Sequence, residues 1–189
     1  MNHLNKLIEL GEKEINRTAQ TPFFSAARMY RDRLYRVRDT LNAYNGNIIT
    51  AFKNFEAAGC LEIITCAATH GYLPLLHVNP AAVQAQIKVA VDLHRQHFGH
   101  NPVGFWLPEC AYTPGIDRFL KKLGIKYFFL DTHGVLFGSH RPKFGIFAPV
   151  FCPSGVAAFG RDIESSKQVW SAKEGYPGDF DYREYYRDI

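Results

Sequence analysis

Cysteine is scarce, at four in 189 residues. Cys60, Cys66, Cys110 and Cys152 show no C-x-x-C spacing. They lie mostly in or beside apolar runs, so buried, reduced thiols and a reducing cytosol are the expectation. No stretch has the basic, apolar, small-residue order of a signal peptide, and no apolar run approaches the length of a membrane span. A soluble cytoplasmic chain follows, with no membrane partner. Internal repeats and low-complexity tracts are also missing. Neither sign of charge dominates: 22 Lys and Arg stand against 18 Asp and Glu, for a net charge of +4.

What is present is apolar and aromatic. Hydrophobic residues make up 47% of the chain and aromatics 14%, with 15 Phe and 10 Tyr, enough for one sizeable core and for an aromatic-lined cleft. The densest basic run holds Arg28, Arg31, Arg33, Arg36 and Arg38. Interleaved Asp32 and Asp39 make it a solvated, ion-paired helix face rather than a phosphate-binding one, and no nucleic-acid partner is expected.

Apolar spacing predicts helix over about 1–55, with breaks near Thr21-Pro22 and Asn45-Gly46. Leu61 to Cys66 is the first strand candidate. Asn79-Pro80 caps a helix with the stripe Val83, Ile87, Ala90, Val91 and His94, ending at Gly99. Val103 to Leu107 is the second strand, Thr113-Pro114 opens another helix closed by Gly124, and Ile125 to Leu130 is the third strand. After Asp131 the helical pattern lapses. Gly145 to Phe151 and Val156 to Phe159 read as further strands, and Ser165 to Ile189 as loop. Strands apolar on both faces, alternating with helices, predict a parallel β/α architecture. The chain divides into a helical segment (1–55), a β/α core (61–160) and a substrate-side loop (161–189).

In such folds functional groups gather at the C-terminal ends of strands. The three strands end near His70, Glu109, and Asp131 with His133, so these side chains are expected to converge. Glu109 follows an apolar run and Pro108, amid Trp106 and Tyr112. A carboxylate at a strand mouth beside aromatic rings suits a glycosidase nucleophile; the bland alternative is a helix cap or ion-pair partner. Trp170, one of two tryptophans, sits in a polar stretch, where a sugar ring or the domain surface are its candidate partners.

Trp106-Leu107-Pro108-Glu109-Cys110-Ala111-Tyr112 resembles the nucleophile motif of glycoside hydrolase family 57, particularly its 1,4-α-glucan branching enzymes. Glu62 to Leu76 resembles the family's preceding block. Val169-Trp170-Ser171, Gly175-Tyr176-Pro177-Gly178 and Tyr182 to Asp188 resemble the stretch that follows the nucleophile. The resemblance implies a partial, seven-stranded type of β/α barrel, truncated at both ends, with parallel strands and flanking helices. It implies retaining chemistry on an α-1,4-glucan donor and acceptor, Glu109 as nucleophile, and no cofactor or metal. Arg161 and Gly178 match substrate-contacting positions, and His70 and Trp170 are expected to bind substrate with them. Arg161 has an ion pair with Asp162 or Glu164 as its ordinary alternative, and Gly178 a simple turn.

Retaining glycosidases need a second carboxyl group about 5–5.5 Å from the nucleophile. The family's acid/base belongs to a later block, expected beyond residue 189. Asp131 matches no catalytic position of the family and is expected to be structural or to line a subsite; Asp162 and Asp179 carry no motif for the role. The family's early histidine-bearing block is also absent, so a central fragment of a catalytic domain, with little activity of its own, is the expectation. Branching is the leading activity, with 4-α-glucanotransferase or α-amylase action and a non-catalytic glucan-binding remnant as alternatives. A metal-dependent deacetylase using His70, Asp131 and His133 is the other enzyme class.

Overall fold

The computed structural model describes residues 2–179, which leaves the Tyr182 to Asp188 block outside the described residues. The chain forms two compact units that divide between Glu62 and Ile63.

The first unit is helical: α1 (Asn2–Thr18), α2 (Phe24–Ala43) and α3 (Ile48–Ala57). The breaks fall where Pro22 and the left-handed Asn45-Gly46 pair interrupt the helical spacing. Arg28, Arg31 and Arg38 of α2 have partners close by. Arg31 pairs with Asp32 at 2.8 Å and with Glu12 at 3.6 Å, and Arg38 lies over the Tyr35 ring at 4.6 Å.

The second unit is built on a five-stranded sheet in the order β1-β2-β3-β5-β4. Its strands are β1 (Thr65–Cys66), β2 (Gly104–Trp106), β3 (Tyr127–Leu130), β4 (Val150–Phe151) and β5 (Ala157–Gly160). The pairs β1–β2, β2–β3 and β3–β5 are parallel, and β4 runs antiparallel to β5. This is the parallel β/α arrangement expected, open rather than closed among the described residues. The strands are shorter than expected because the ladder forms only where a neighbour lies opposite; Thr65 pairs with Phe105 and Cys66 with Trp106, so Leu61 to Ile64 stay outside it.

Between β1 and β2 lie α4 (Leu73–Leu76) and α5 (Pro80–Phe98), then α6 (Ile116–Lys122) before β3, α7 (Thr132–Leu136) after it, and α8 (Ile163–Trp170) after β5. Asn79 caps α5 through its side chain, Pro80 occupies the first turn, and Gly99 ends it at φ 87°. The whole stripe Val83, Ile87, Ala90, Val91 and His94 is buried. Val83, Ile87 and Val91 of this stripe pack with Leu73, Phe105, Leu107, Ile116, Leu120 and Phe128 in one core, each such side chain worth about 1.5–3 kcal/mol.

The opposite face of the sheet is aromatic. Trp106, Tyr127, Phe129 and Phe159 have neighbouring ring centroids 5.6 to 5.9 Å apart. Gly104 belongs to this face, because a Cβ there would lie 2.4 Å from the Tyr127 ring and 2.6 Å from Ile64.

Several expectations need correction. Helix α6 begins at Ile116, not at Thr113-Pro114, because Gly115 takes a left-handed conformation at φ 101° and turns the chain one step later. Residues 163–170 are helix rather than loop, started by Asp162, whose carboxylate accepts from the Ser165 amide at 2.7 Å. The pattern after Asp131 does not lapse but makes the short α7. Cys60 is exposed, Cys66 and Cys152 are partly buried, and Cys110 alone is buried.

Candidate active site

Three successive parallel strands place their C-terminal ends side by side. Beyond β1 the chain makes a tight turn in which the His70 amide donates to the Ala67 carbonyl at 2.9 Å and His70 takes φ 54°. Gln86 of α5 holds this turn: its side-chain oxygen accepts from the Thr69 amide at 3.0 Å and its nitrogen donates to Thr69 Oγ1 at 2.8 Å. The His70 ring is thereby returned over the strand end.

Beyond β2, Leu107 is extended, as the residue before a proline prefers. A single 3₁₀ turn, Pro108–Cys110, follows, closed by the amides of Cys110 and Ala111 donating to the carbonyls of Leu107 and Pro108 at 2.8 and 3.1 Å. Within it Glu109 (φ 54°, ψ 22°) and Cys110 (φ 52°) are both left-handed. Of the four non-glycine residues with positive φ among the described residues, three are His70, Glu109 and Cys110. Each costs about 1–3 kcal/mol, which surrounding contacts must hold. One such contact is visible: the Asp131 amide, at the end of β3, donates to the Cys110 carbonyl at 3.2 Å.

The strained turn projects Glu109 outward while Pro108 and Cys110 stay buried. Glu109 Oε1 lies 3.3 Å from His70 Nε2. Its carboxylate borders a cavity of about 300 Å³ lined by Tyr72, Tyr112, Leu130, Asp131 and His133. Tyr112 stacks on Phe128, centroids 5.5 Å apart and planes 8° from parallel.

Behind that wall stands a residue the sequence reading passed over, the buried Asp117. Its carboxylate accepts from Tyr112 Oη at 3.1 Å, the Gly115 amide at 3.2 Å and the Ser154 amide at 3.3 Å. Burial pulls its pKa upward, but the hydrogen bonds from Ser154, Tyr112 and Gly115 prevail and hold it below the usual carboxylate value. Burial pushes the Tyr112 hydroxyl well above its ordinary value, which keeps it a donor. An acid directly after the apolar Ile116 and two residues before Phe119 was the signal available.

Asp131 is tied on both oxygens. Oδ1 accepts from the Thr132 amide at 3.1 Å and caps α7, while Oδ2 faces His133 Nδ1 at 3.5 Å. It also borders a second cavity of about 310 Å³, lined by Arg161, Ile163, Ser166, Lys167, Trp170 and Ser171. Arg161 is seated there by its amide donating to the Leu130 carbonyl at 2.9 Å and by its guanidinium reaching Cys110 Sγ at 3.7 Å and Ser166 Oγ at 3.3 Å. The guanidinium lies 5.8 Å from the Trp106 ring. Trp170, 77% exposed, ends α8 at the rim of this cavity.

His70 and Glu109 are thus in contact, and Arg161 and Trp170 share a neighbouring cavity. Gly178 lines neither cavity; a Cβ on it would lie 2.1 Å from the Ala172 carbonyl oxygen, so its own loop demands glycine there. No group of His, Cys, Asp or Glu able to hold a metal converges among the described residues. No helix among them is long and apolar enough to cross a membrane.

This arrangement has relatives. The sequence model described as "Glycosyl hydrolase family 57" matches residues 1–187. A 1,4-alpha-glucan branching enzyme of Thermococcus kodakarensis is 39% identical across 80% of this chain and 26% of its own length. The crystal structure of the alpha-amylase AmyC of Thermotoga maritima matches with a TM-score of 0.89 and 46% identity, over 100% of this chain and 37% of that one. A branching enzyme from Thermococcus kodakaraensis, solved in complex with glucose and additives, matches with a TM-score of 0.85 and 33% identity, over 100% of this chain and 38% of that one. The chain spans about a quarter of the length of the curated relative and under two-fifths of the solved structures.

Proposed function

The chain belongs to glycosyl hydrolase family 57, and from that premise we propose that it carries the nucleophilic half of a retaining α-glucan glycosyl-transfer site. Glu109 is the nucleophile. The observation that carries this reading is the Glu109 carboxylate held out from a doubly left-handed turn, 3.3 Å from His70 and facing a cavity walled by aromatic rings. A nucleophile must be fixed and accessible at once, and a strained turn with buried neighbours on both sides supplies both.

In the proposed reaction Glu109 attacks C1 of an α-1,4-linked glucose and the bond to the leaving oxygen breaks. The resulting glycosyl ester is then released to an acceptor. His70 donates to the Glu109 carboxylate and holds its rotamer. Arg161 offers its fork of N–H donors to sugar hydroxyls, and Trp170 gives a face on which a further glucose ring stacks. The proton donor to the leaving oxygen is not assigned to Asp131, whose two oxygens already cap α7 and face His133.

Branching, with a sugar 6-hydroxyl as acceptor, is the favoured activity, supported by the branching-enzyme relative. Hydrolysis, with water as acceptor, is the second reading, because the alpha-amylase structure is 46% identical over the whole chain. Incubation with amylose separates them: new 1,6 linkages support branching, and reducing ends appearing without them support hydrolysis. Under either reading, in a protein that also supplies the proton donor, Glu109→Gln retains glucan binding and loses turnover by at least about a thousandfold. Turnover within tenfold of the unsubstituted protein overturns the assignment.

A further inference from the structure

One side of the Glu109 carboxylate faces the cavity. The other leads through His70 to a thiol: His70 Nε2 lies 3.3 Å from Glu109 Oε1, and Cys66 Sγ lies 3.3 Å from His70 Nδ1. The roles along this row follow from the groups. An ionised carboxylate can only accept, so Nε2 must carry the hydrogen. A neutral imidazole protonated on Nε2 has a bare, accepting Nδ1, and a thiol is the only one of the two facing groups that can fill it with a donor.

We propose that Cys66 is a positioning residue: its S–H donates to His70 Nδ1, fixes the Nε2–H tautomer, and so gives Glu109 a single oriented donor. The link to turnover rests on Glu109 being the nucleophile, but the tautomer does not.

Three observations support the assignment. The row is built from fixed backbone, since Cys66 ends β1 in register with Trp106 and His70 is locked in its left-handed turn by Gln86. Burial raises the Cys66 pKa and keeps the sulfur protonated, as a donor must be. The same atoms could be read as a thiol nucleophile with a histidine base, but the geometry runs the other way. Glu109 borders the site cavity, whereas Cys66 borders a separate, apolar cavity beside Ala90, Leu93 and Phe98. A thiol kept protonated and 3.3 Å from the ring nitrogen acts on the ring, not on a sugar.

The test is nitrogen-15 NMR of the histidine rings in the full chain at about pH 8, where an unperturbed imidazole is neutral. The expected result is a His70 ring with hydrogen on Nε2 and a bare Nδ1. Cys66→Ser keeps that pattern, and Cys66→Ala moves the ring toward a mixture of tautomers. Hydrogen on Nδ1 in the unsubstituted protein overturns the proposal, as does hydrogen on both nitrogens or a tautomer unchanged by Cys66→Ala. In turnover, Cys66→Ala lowers kcat by about tenfold with little change in KM, and Cys66→Ser recovers it. A loss in KM alone, or equal loss in both variants, also overturns it. Failure of Glu109 to act as nucleophile with the Nε2–H tautomer present would strike the proposed function and leave the tautomer standing.

Discussion

Glu109 and Trp170 border the two cavities that share Asp131, yet their supports differ in kind. Glu109 sits on a turn of two consecutive left-handed residues, with Pro108 and Cys110 buried on either side, Cys110 bonded to Asp131 just beyond β3, and Tyr112 braced from behind by Asp117. Trp170 ends an eight-residue helix with no buried residue. The first arrangement stores strain and lets neighbouring backbone hold it; the second is an exposed face on a short helix that buries no side chain. Bond making tolerates little misplacement, whereas stacking on a sugar ring tolerates sliding. The contrast teaches that backbone constraint is concentrated at the proposed nucleophile and is slight at the proposed stacking residue.

Substitutions on the two sides should therefore fail differently. The largest effect is expected from Glu109→Gln, measured beside Trp170→Ala in one assay: the first removes turnover and spares binding. The second should raise KM by about threefold to tenfold and leave kcat within about twofold. A Trp170 variant that loses kcat as severely as the Glu109 variant would break the distinction.

Next in size is the brace behind the wall. Asp117→Ala leaves Tyr112, Gly115 and Ser154 without their common acceptor and should cost about 2–4 kcal/mol, read from denaturant unfolding. Because the folded-state pKa of Asp117 is lowered, its stabilising contribution is complete above the ordinary carboxylate pKa of about 4 and is lost as pH falls through the folded value. The stability gap between the unsubstituted protein and Asp117→Asn should accordingly shrink on acidification below about pH 4. A gap that widens there contradicts the brace.

Gly104→Ala is expected to cost about 1–3 kcal/mol, since its Cβ would meet the Tyr127 ring at 2.4 Å. The smallest change is the stability of Trp170→Ala, within about 0.5 kcal/mol, because the indole is 77% exposed.

The sequence made one layer of this readable. The strand–helix alternation, the cap and stripe of α5, and the convergence of His70 with Glu109 all follow from apolar spacing and parallel topology. Backbone hand at non-glycine positions was not readable: nothing in Thr69-His70-Gly71 or Pro108-Glu109-Cys110 signals φ above +50°, because the sheet and its flanking turns impose it. Helix α8 escaped because its polar sequence buries no side chain and so leaves no apolar stripe, although Asp162, three residues before Ser165, was a cap signal in plain view. The Cys66–His70 contact escaped because four residues of spacing bring side chains together regularly only in a helix, and here the chain between them is a turn.

The central claim is that Glu109 forms a bond to the sugar, and the direct measurement is to trap that bond. A fluorine-substituted α-glucosyl fluoride leaves as fluoride without needing a proton donor, so the first chemical step is read independently of the acid. Intact-protein and peptide mass spectrometry after incubation should show one glycosyl adduct, on the peptide containing Glu109 and on Glu109 itself, absent in Glu109→Gln. An adduct on Asp131 or any other side chain, or an unlabelled protein at reagent concentrations that saturate the site, would contradict the account.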